Sequence, residues 1–399
     1  MKKSIALLFI LMFTFNFGAT KKQKSNKSVT RVKYERPAPR PLRSYVARLL
    51  ADENGNIIFQ EKGNVVYPIA SLTKMMTILL AMESIERGEH SYQDIVEISW
   101  QTTTIRGISS GLRRGENYTL GDLMKVAVAH SSNDAAYAVA EYIGNGDVEG
   151  FITKMNARAE QLGLTNTKYY TPMGLPTKNT RKPLDVSSPV DMAKLGSEII
   201  KHPKYLEFSS QRNVVIKELK SGKETPFRNT DKMVGSYEGF DGLKTGFHNA
   251  SMFNIVGTAK RNNMRFIAVV FGSDTQPLRA KEVSSLLDFA FTTFQTSKVS
   301  DVSKPIAKAE VGKYKQKVIV YAKENKFITE KKNENGKLTR KLYLDKVEQK
   351  EIKENDKIGY ISIIRNGKEI ARVDAVARRV EKRISLVAKA VKIMTFGLF

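Results

Sequence analysis

The chain has 399 residues, of which 41% are hydrophobic and 27% charged, and its formal net charge is +25 at pH 7. This length suits two ordinary domains with packed cores, and the charge favours an anionic partner such as nucleic acid, lipid or an acidic polymer. The absence of cysteine excludes disulfide bonds and thiolate metal sites. The four histidines have no metal-binding spacing, and no RNA-binding aromatic motif or zinc-finger spacing occurs. We therefore expect no metal site and no nucleic-acid partner.

The first residues have the pattern of an export signal. Two lysines precede an apolar run from Ile5 to Phe17, which is followed by a small Gly-Ala pair. This order is typical of a secretory signal peptide, predicted here over 1–19, and an uncleaved anchor is the alternative. The polar, basic, proline-containing stretch 20–43 is predicted to be a linker.

A mixed region follows the linker. Two strand-like runs flank "DENG" within residues 45–63 and predict a β-hairpin. Helical spacing of apolar residues predicts helices over 71–87, 119–130, 133–144, 147–162 and 189–200. "MRFIAVVFGS" at 264–273 predicts a buried strand, and "RAKEVSSLLDFAFTTF" predicts an amphipathic helix after it. Residues 44–296 are therefore predicted to form one mixed α/β (α+β) domain, with strands at both ends and helices between.

The pattern changes after this region. Short strand-like runs split by Asn-Gly and charged turns predict an all-β domain over 297–376. Residues 377–399 predict a basic amphipathic helix, with Val380, Ile384, Val387, Val391 and Met394 opposite Arg378, Lys382, Lys389 and Lys392. Such a helix fits an anionic membrane surface, apolar side down. A helix docked on its own domain is the alternative.

A hydroxyl and an amine lie one helical turn apart where the first predicted helix begins. Ser71 stands three positions before Lys74 in "PIASLTKMMT", the sole Ser-x-x-Lys of the chain. Free backbone N–H groups and the positive dipole end at a helix start would face the serine oxygen, and a helix cap is the alternative role for this serine. As a nucleophile, the serine would need the amine as a base. The amine must then be neutral, which requires burial and a second cation nearby.

Two further motifs complete a set. "AHSSNDAAYAVAEYIG" holds the sole Ser-x-Asn, at Ser131 and Asn133, and "FDGLKTGF" holds the sole Lys-Thr-Gly, at Lys244. The three motifs in this order are those of serine acyl-transferases of the penicillin-binding type. The chain resembles the D-alanyl-D-alanine carboxypeptidases, low-molecular-mass penicillin-binding proteins, over nearly everything after the linker. The resemblance implies a β-lactamase/transpeptidase-like catalytic domain, in which an antiparallel sheet is flanked by helices, followed by the small β domain and the amphipathic tail.

The resemblance implies a catalytic role for each matching residue of the first two motifs. Ser71 attacks the carbonyl carbon of the penultimate D-alanine, and Lys74 is its general base. Ser131 relays the proton to the departing D-alanine, and Asn133 binds the peptide.

Further roles fall on the third motif and its surroundings. Lys244, on the edge strand, lowers the pKa of Lys74. The groups implied to hold the substrate's terminal carboxylate are Lys244, Thr245, Arg279 and Arg228. Gly246 lets the strand backbone approach the substrate closely, and the backbone N–H groups of Ser71 and Phe247 form the oxyanion hole.

The resemblance also implies what the protein does. It would be exported to the periplasmic or extracytoplasmic face of the cell membrane and held there by its tail. It would trim the terminal D-alanine from peptidoglycan pentapeptides without a cofactor, and β-lactam antibiotics would acylate the same serine.

Three positions depart from the family's pattern. Ser132 stands where the family often has glycine or alanine, His248 where it commonly has a hydroxyl residue, and Ser251 where it has a glycine. These changes leave the three motifs intact and bear on substrate preference and turnover.

Other functions remain as alternatives or are excluded. A β-lactamase shares the three motifs, but the chain has no convincing Glu-x-x-Leu-Asn loop to activate deacylating water. A non-catalytic cell-wall scaffold would use the β domain and the tail instead. "GISSG" at 107–111 fits the elbow of α/β-hydrolases, but its polar flanks exclude the strand and helix that an elbow requires.

Overall fold

The computed structural model of the chain describes residues 41–313, 315–332, 338–346 and 351–378. The predicted signal peptide, nearly all of the predicted linker and the predicted tail helix after Arg378 lie outside these ranges. Within them, no helix combines the length and apolar character needed to cross a membrane. Residues 377 and 378, which the sequence analysis places in the tail, end a β-strand instead.

The described chain up to Thr293 mixes short strands with helices. The strands are β1 (Ala47–Asp52), β2 (Ile57–Glu61), β3 (Tyr67–Pro68), β4 (Ile95–Glu97), β5 (Asn117–Thr119), β6 (Val186–Ser187), β7 (Asn213–Lys217), β8 (Glu224–Arg228), β9 (Phe240–His248), β10 (Met252–Arg261) and β11 (Met264–Ser273). The helices are α1 (Lys74–Glu86), α2 (Trp100–Thr103), α3 (Leu120–Ala129), α4 (Asn133–Ile143), α5 (Val148–Gln161), α6 (Thr177–Thr180), α7 (Pro189–Ile199), α8 (Pro203–Ser209) and α9 (Gln276–Thr293).

An antiparallel sheet with the strand order β2-β1-β11-β10-β9 organises this domain. The predicted hairpin at its start is confirmed. The Asp52 carboxylate accepts hydrogen bonds from the N–H groups of Asn54 and Asn56, both at 2.9 Å, and Gly55 supplies a positive φ of 80° for the turn. At the other end, β9 is an edge strand, so part of its backbone is open to a ligand.

The sheet separates two apolar cores. Every residue of β11 is buried, as its continuous apolar sequence predicts. Alternate residues face opposite sides: Ile267, Val269 and Phe271 pack with the helical cluster that includes α1, α3 and α4. Phe266 and its alternate neighbours pack on the other side with α9.

Most predicted helices are confirmed to within about one residue of their predicted bounds, because residues that favour the N-cap position mark where several of them begin. Thr119, Asp147 and Ser188 each accept a hydrogen bond from an N–H group in the first turn of α3, α5 and α7. The helix predicted over 71–87 differs at its start. It begins as a 3-10 turn, Ala70–Thr73, and becomes α-helical only at Lys74.

The chain then enters the predicted β-rich domain. Its strands are β12 (Phe294–Lys298), β13 (Ala307–Val311), β14 (Gln316–Ala322), β15 (Phe327–Lys331), β16 (Leu338–Leu344), β17 (Lys357–Arg365) and β18 (Lys368–Arg378). β12 pairs with β15, and the remaining strands form a sheet in the order β13-β14-β18-β17-β16. The predicted boundary between 296 and 297 falls inside β12. Asn366 and Gly367, with φ of 49° and 81°, make the Asn-Gly turn between β17 and β18.

Candidate active site

Ser71 lies in the 3-10 turn that leads into α1. The residue before it, Ala70, has a positive φ of 50°, which a residue with a Cβ rarely adopts. Two glycines pack against this turn. A Cβ at Gly174 would lie 1.9 Å from the Ala70 carbonyl oxygen, and a Cβ at Gly246 would lie 2.5 Å from the carbonyl oxygen that precedes the turn. The serine is therefore fixed between backbone segments that only glycine can bring so close.

The side chain of Lys74 is fully buried, and its Nζ has three oxygen neighbours. They are Ser71 Oγ at 2.9 Å, Asn133 Oδ1 at 2.6 Å and the Met173 carbonyl oxygen at 2.8 Å. An amide oxygen and a carbonyl oxygen can only accept, so they take the two N–H bonds of a neutral amine. The remaining lone pair then faces the one neighbour that can donate, the serine hydroxyl. This arrangement allows a neutral amine to receive the serine proton.

Electrostatics favours that neutral amine. Burial lowers the pKa of Lys74 well below its ordinary value, and the nearby charge of Lys244 lowers it further against the opposing effect of two buried carboxylates. Lys244 is itself buried on β9, and burial lowers its pKa to about 7 although the Asp231 carboxylate opposes the shift. Lys244 thus supplies the second cation that the sequence analysis requires near Lys74.

Ser131 and Asn133 lie where α3 ends and α4 begins. Ser131 is buried and has a positive φ of 66°. Such a conformation persists only where the surroundings hold it, and it recurs at functional sites. Asn133 is the first residue of α4, and its Nδ2 donates to the Arg106 carbonyl oxygen at 2.8 Å. That bond turns the amide oxygen toward Lys74.

A cluster of buried charges adjoins the third motif. Arg279 on α9 is 3% exposed and Asp231 is 6% exposed, and the carboxylate interacts with both Arg279 and Lys244. Arg279 Nη1 donates to the Asn254 carbonyl oxygen at 3.2 Å. Arg279 Nε and Asp231 Oδ2 have no hydrogen-bond partner among the described residues. Unpaired buried groups of this kind are rare in folded proteins, and they require an explanation beyond stability.

One cavity of about 730 Å³ brings most of the predicted residues together. Its lining includes seven of them: Ser71, Ser131, Asn133, Thr245, Gly246, Phe247 and Arg279. Lys74 and Lys244 are buried and are not part of the lining, and Lys74 reaches the cavity through the Ser71 hydroxyl. Phe247 is 49% exposed, and its ring stacks on that of Phe253 with 4.3 Å between the ring centroids.

Arg228 lies apart from the other predicted residues, and Gly246 has a close contact that the sequence analysis did not predict. Arg228 does not reach the cavity: it falls on the exposed side of β8, whose residues alternate in burial, and it lines a separate cleft with Arg212. Gly246 lines the cavity as expected, and its backbone also packs closely against the turn that carries Ser71.

Asp185 holds the nucleophile's turn and was not singled out by the sequence analysis. This buried carboxylate accepts hydrogen bonds from Thr73 Oγ1 at 3.0 Å, from Thr171 Oγ1 at 2.6 Å and from the N–H groups of Tyr170 and Thr171. It thereby joins the first turn of α1 to the segment that contains Met173 and Gly174. No local pattern marks this aspartate, since Thr73 lies 112 positions away.

Asp134 orders the second motif and was also missed, although its place beside Asn133 was a signal. Its oxygens accept from Ser109 Oγ at 2.5 Å and from Ser132 Oγ, and from the N–H groups of Ser110, Leu112 and Ala135. The Ser109 hydroxyl is thus a hydrogen-bond donor to Asp134, in a loop that no strand precedes. This confirms that "GISSG" is not a nucleophile elbow.

One group of potential metal ligands occurs among the described residues, at Glu83, Glu198 and His202. The Arg158 guanidinium lies 2.7 Å from Glu83 and 3.2 Å from Glu198. These charges form an ion-pair network that connects α1, α5 and α7.

The fold and the cavity define a class of protein. Its serine is hydrogen-bonded to a buried lysine, Ser-x-Asn lies on the helical side, and Lys-Thr-Gly lies on the edge strand. This arrangement is the site of a serine acyl-transfer hydrolase. The sequence profile for D-alanyl-D-alanine carboxypeptidase matches residues 34–275, and the profile for the penicillin-binding protein 5 C-terminal domain matches residues 294–383. The chain belongs to the D-alanyl-D-alanine carboxypeptidase family, and it is a serine-type hydrolase of the penicillin-binding group.

Individual relatives agree with this assignment. The chain is 29% identical over 386 residues to D-alanyl-D-alanine carboxypeptidase DacF of Bacillus subtilis, covering 96% of this chain and 95% of that one. A peptidoglycan synthesis regulatory factor (PBP3) from Streptococcus pneumoniae has a similar structure, with a TM-score of 0.73, 25% identity, and coverage of 85% of this chain and 99% of that one. Penicillin-binding protein D2 from Listeria monocytogenes, solved with ampicillin bound, gives a TM-score of 0.55 and 28% identity over 64% of this chain and 100% of that one.

Proposed function

We propose that this carboxypeptidase removes the terminal D-alanine from peptidoglycan pentapeptides through an acyl-enzyme on Ser71. The observation that carries the proposal is the hydrogen-bond arrangement of Lys74, whose amine has two obligate acceptors and the Ser71 hydroxyl as its three neighbours. A neutral amine in that place turns its lone pair toward the Ser71 hydroxyl.

Acylation follows from this geometry. Lys74 takes the hydroxyl proton as Ser71 Oγ forms a bond to the carbonyl carbon of the penultimate D-alanine. The N–H groups of Ser71 and Phe247 hold the oxyanion, and each such donor contributes about 3–4 kcal/mol in well-studied hydrolases. The bond to the terminal D-alanine then breaks, and Ser131 delivers a proton from Lys74 to the departing amine nitrogen.

Hydrolysis completes the cycle. A water molecule loses a proton to Lys74 and attacks the ester carbonyl carbon, the bond to Ser71 Oγ breaks, and the oxygen takes the proton back. The same attack on the ring amide of a β-lactam forms an acyl-enzyme without a departing amine, because the ring keeps both halves of the drug together.

The buried charges of Lys244 and Arg279 support recognition of the substrate's terminal carboxylate. Arg279 and Thr245 line the cavity, and Lys244 lies buried beside Thr245. Two buried cations near a single buried carboxylate, Asp231, leave positive charge for a second anion. Arg228 is left out of this role, because it lies on the exposed side of β8.

The cellular placement rests on the ends of the chain. Homologues of the chain are cell-wall enzymes that act outside the cytoplasm. The predicted signal peptide supports export, and the predicted amphipathic tail supports peripheral attachment to an anionic membrane surface.

Intact-mass spectrometry with benzylpenicillin tests the proposal and separates it from the two alternatives. A lasting adduct that is absent from Ser71→Ala, together with D-alanine release from a pentapeptide, is the expected result. Rapid loss of the drug without a lasting adduct would identify a β-lactamase. No adduct and no D-alanine release would favour the scaffold, provided that circular dichroism shows both proteins folded.

A further inference from the structure

Two positions at which the chain departs from the family's pattern, His248 and Ser251, contact each other. The N–H of His248 donates to Ser251 Oγ at 3.1 Å, and the N–H of Ser251 donates to His248 Nδ1 at 3.0 Å. Ser251 is fully buried, so this pairing is held by the fold. Because Nδ1 is an acceptor, the ring proton of a neutral His248 lies on Nε2.

His248 lies at the cavity that contains Ser71. It is part of the cavity lining, and its Nε2 makes no hydrogen bond to any residue that the structure describes. Burial lowers the pKa of His248, which favours the neutral ring with its Nε2–H donor. A ligand atom that accepts a hydrogen bond would therefore be recognised here.

Lys178 adds a charge to the same cavity. It lies in α6, is exposed to solvent, and forms no ion pair with any described residue. No aspartate or glutamate belongs to the cavity lining, all of which lies in the described part of the chain. A carboxylate in this cavity would find cations and donors, whereas an ammonium group would find no counter-charge.

The direction of the bound peptide places its third residue near His248. The terminal carboxylate at Thr245 and the scissile carbonyl at the N–H of Phe247 lay the peptide antiparallel to β9 along its open edge. Strand residues advance by about 3.3 Å each, so the residue before the penultimate D-alanine falls at His248 or just beyond it.

We propose that His248, held by Ser251, and Lys178 form a subsite for the third residue of the stem peptide, and that this subsite selects a side chain whose end carries a carboxylate beside its ammonium over one that ends in an ammonium alone. This inference rests on the proposed function, because it uses the direction of the peptide in the site.

The test compares kcat/KM for D-alanine release from two pentapeptides, L-Ala-γ-D-Glu-X-D-Ala-D-Ala, in which X is meso-diaminopimelic acid or L-lysine. We expect the diaminopimelic peptide to be favoured by about tenfold, the change that 1.4 kcal/mol produces. Lys178→Glu should reduce or invert that ratio, and His248→Thr should reduce it. Lys154→Glu, which reverses an exposed charge outside the cavity lining, should leave the ratio unchanged.

The outcomes separate the subsite from the underlying function. Equal kcat/KM values for the two peptides, or a preference for the lysine peptide, would overturn the subsite while the carboxypeptidase assignment stands. A preference that survives both Lys178→Glu and His248→Thr would overturn the two residues as its cause. Failure to cleave either peptide, with no penicillin adduct, would overturn the proposed function itself.

Discussion

The amide oxygen of Asn133 lies 2.6 Å from the Nζ of Lys74, and the amide nitrogen of the same side chain is bonded to the Arg106 carbonyl oxygen. Asn133 therefore accepts one N–H bond of the neutral Lys74 amine. By fixing that bond, it helps to orient the amine lone pair toward Ser71. The second motif thus acts on the first through the base, in addition to any contact with substrate.

Asn133→Asp should slow acylation at neutral pH. A carboxylate beside Lys74 favours the ammonium form, so the pKa of Lys74 rises and the acid limb of the rate profile moves to higher pH. Asn133→Ala removes the acceptor without adding charge, so it should lower the rate with a smaller displacement of that limb. The measurement is the second-order rate constant for benzylpenicillin acylation from pH 5 to 10. Equal displacement in both variants would contradict the electrostatic explanation.

Lys244 should set an alkaline limit on acylation. Its pKa of about 7 means that the side chain is charged below that pH and loses its charge above it. Because the charged form attracts the carboxylate of benzylpenicillin, the second-order rate constant should fall as the pH rises through about 7. Lys244→Arg stays charged well above pH 10, so its alkaline limb should disappear from this range. Lys260→Arg, an exposed change on β10, should keep the wild-type profile. A limb at the same pH in Lys244→Arg would show that another group titrates.

Gly174→Ala should impair both stability and activity. The added Cβ would lie 1.9 Å from the Ala70 carbonyl oxygen, so the turn that holds Ser71 must move. Gly115→Ala is the matched comparison, because its φ of 80° is close to the 82° of Gly174 and nothing lies within 4 Å of the new Cβ. We expect about 1 kcal/mol of destabilisation at Gly115 from backbone conformation alone. At Gly174 we expect a larger loss, and acylation slowed at least tenfold. Equal effects in urea unfolding and penicillin acylation would show that the close contact does not matter.

Asp134→Asn should destabilise the catalytic domain by about 2–3 kcal/mol. Each carboxylate oxygen accepts from a backbone N–H, Oδ1 from Ser110 and Ala135 and Oδ2 from Leu112. Either orientation of an amide would therefore place its NH₂ group against a donor. Acylation should fall as well, because the loop that this aspartate holds begins just after the Arg106 carbonyl that orients Asn133.

The control variant for Asp134→Asn is Asp147→Asn, which makes the same chemical change at an exposed helix cap. Asp147 caps α5 from an exposed position, where asparagine is an equally good cap, so its unfolding midpoint should be unchanged. A normal midpoint in Asp134→Asn would mean that its hydrogen bonds rearrange at little cost.

Much of the helical cluster and the central motifs could be predicted from the sequence. In α3 and α5, a capping residue followed by helical spacing of apolar residues predicts the helix. In β11, a continuous apolar run predicts the buried strand. The placement of Ser71 beside Lys74 was also predictable, because three positions along a helix start return to the same face. These features depend on residues that are close together in the chain.

The rest depends on contacts between distant segments. Asp185 and Asp231 are typical surface residues by composition, and only the folded chain shows that each is buried against partners from other elements. The position of Arg228 depends on the register of the β7–β8 hairpin, since a shift of one residue would turn it to the other side. No spacing rule in a single sequence fixes that register.

The burial of Lys74 also has a consequence for the chain before it folds. The segments that enclose this amine come from α1, α4, the Met173 loop and β9, which span 170 positions from Lys74 to Lys244. An unfolded chain has none of these contacts, so its Lys74 has the ordinary pKa and stays protonated at neutral pH. The Ser71 hydroxyl consequently gains a neutral amine as its base only when these segments have folded together, so the catalytic base is itself a product of tertiary structure.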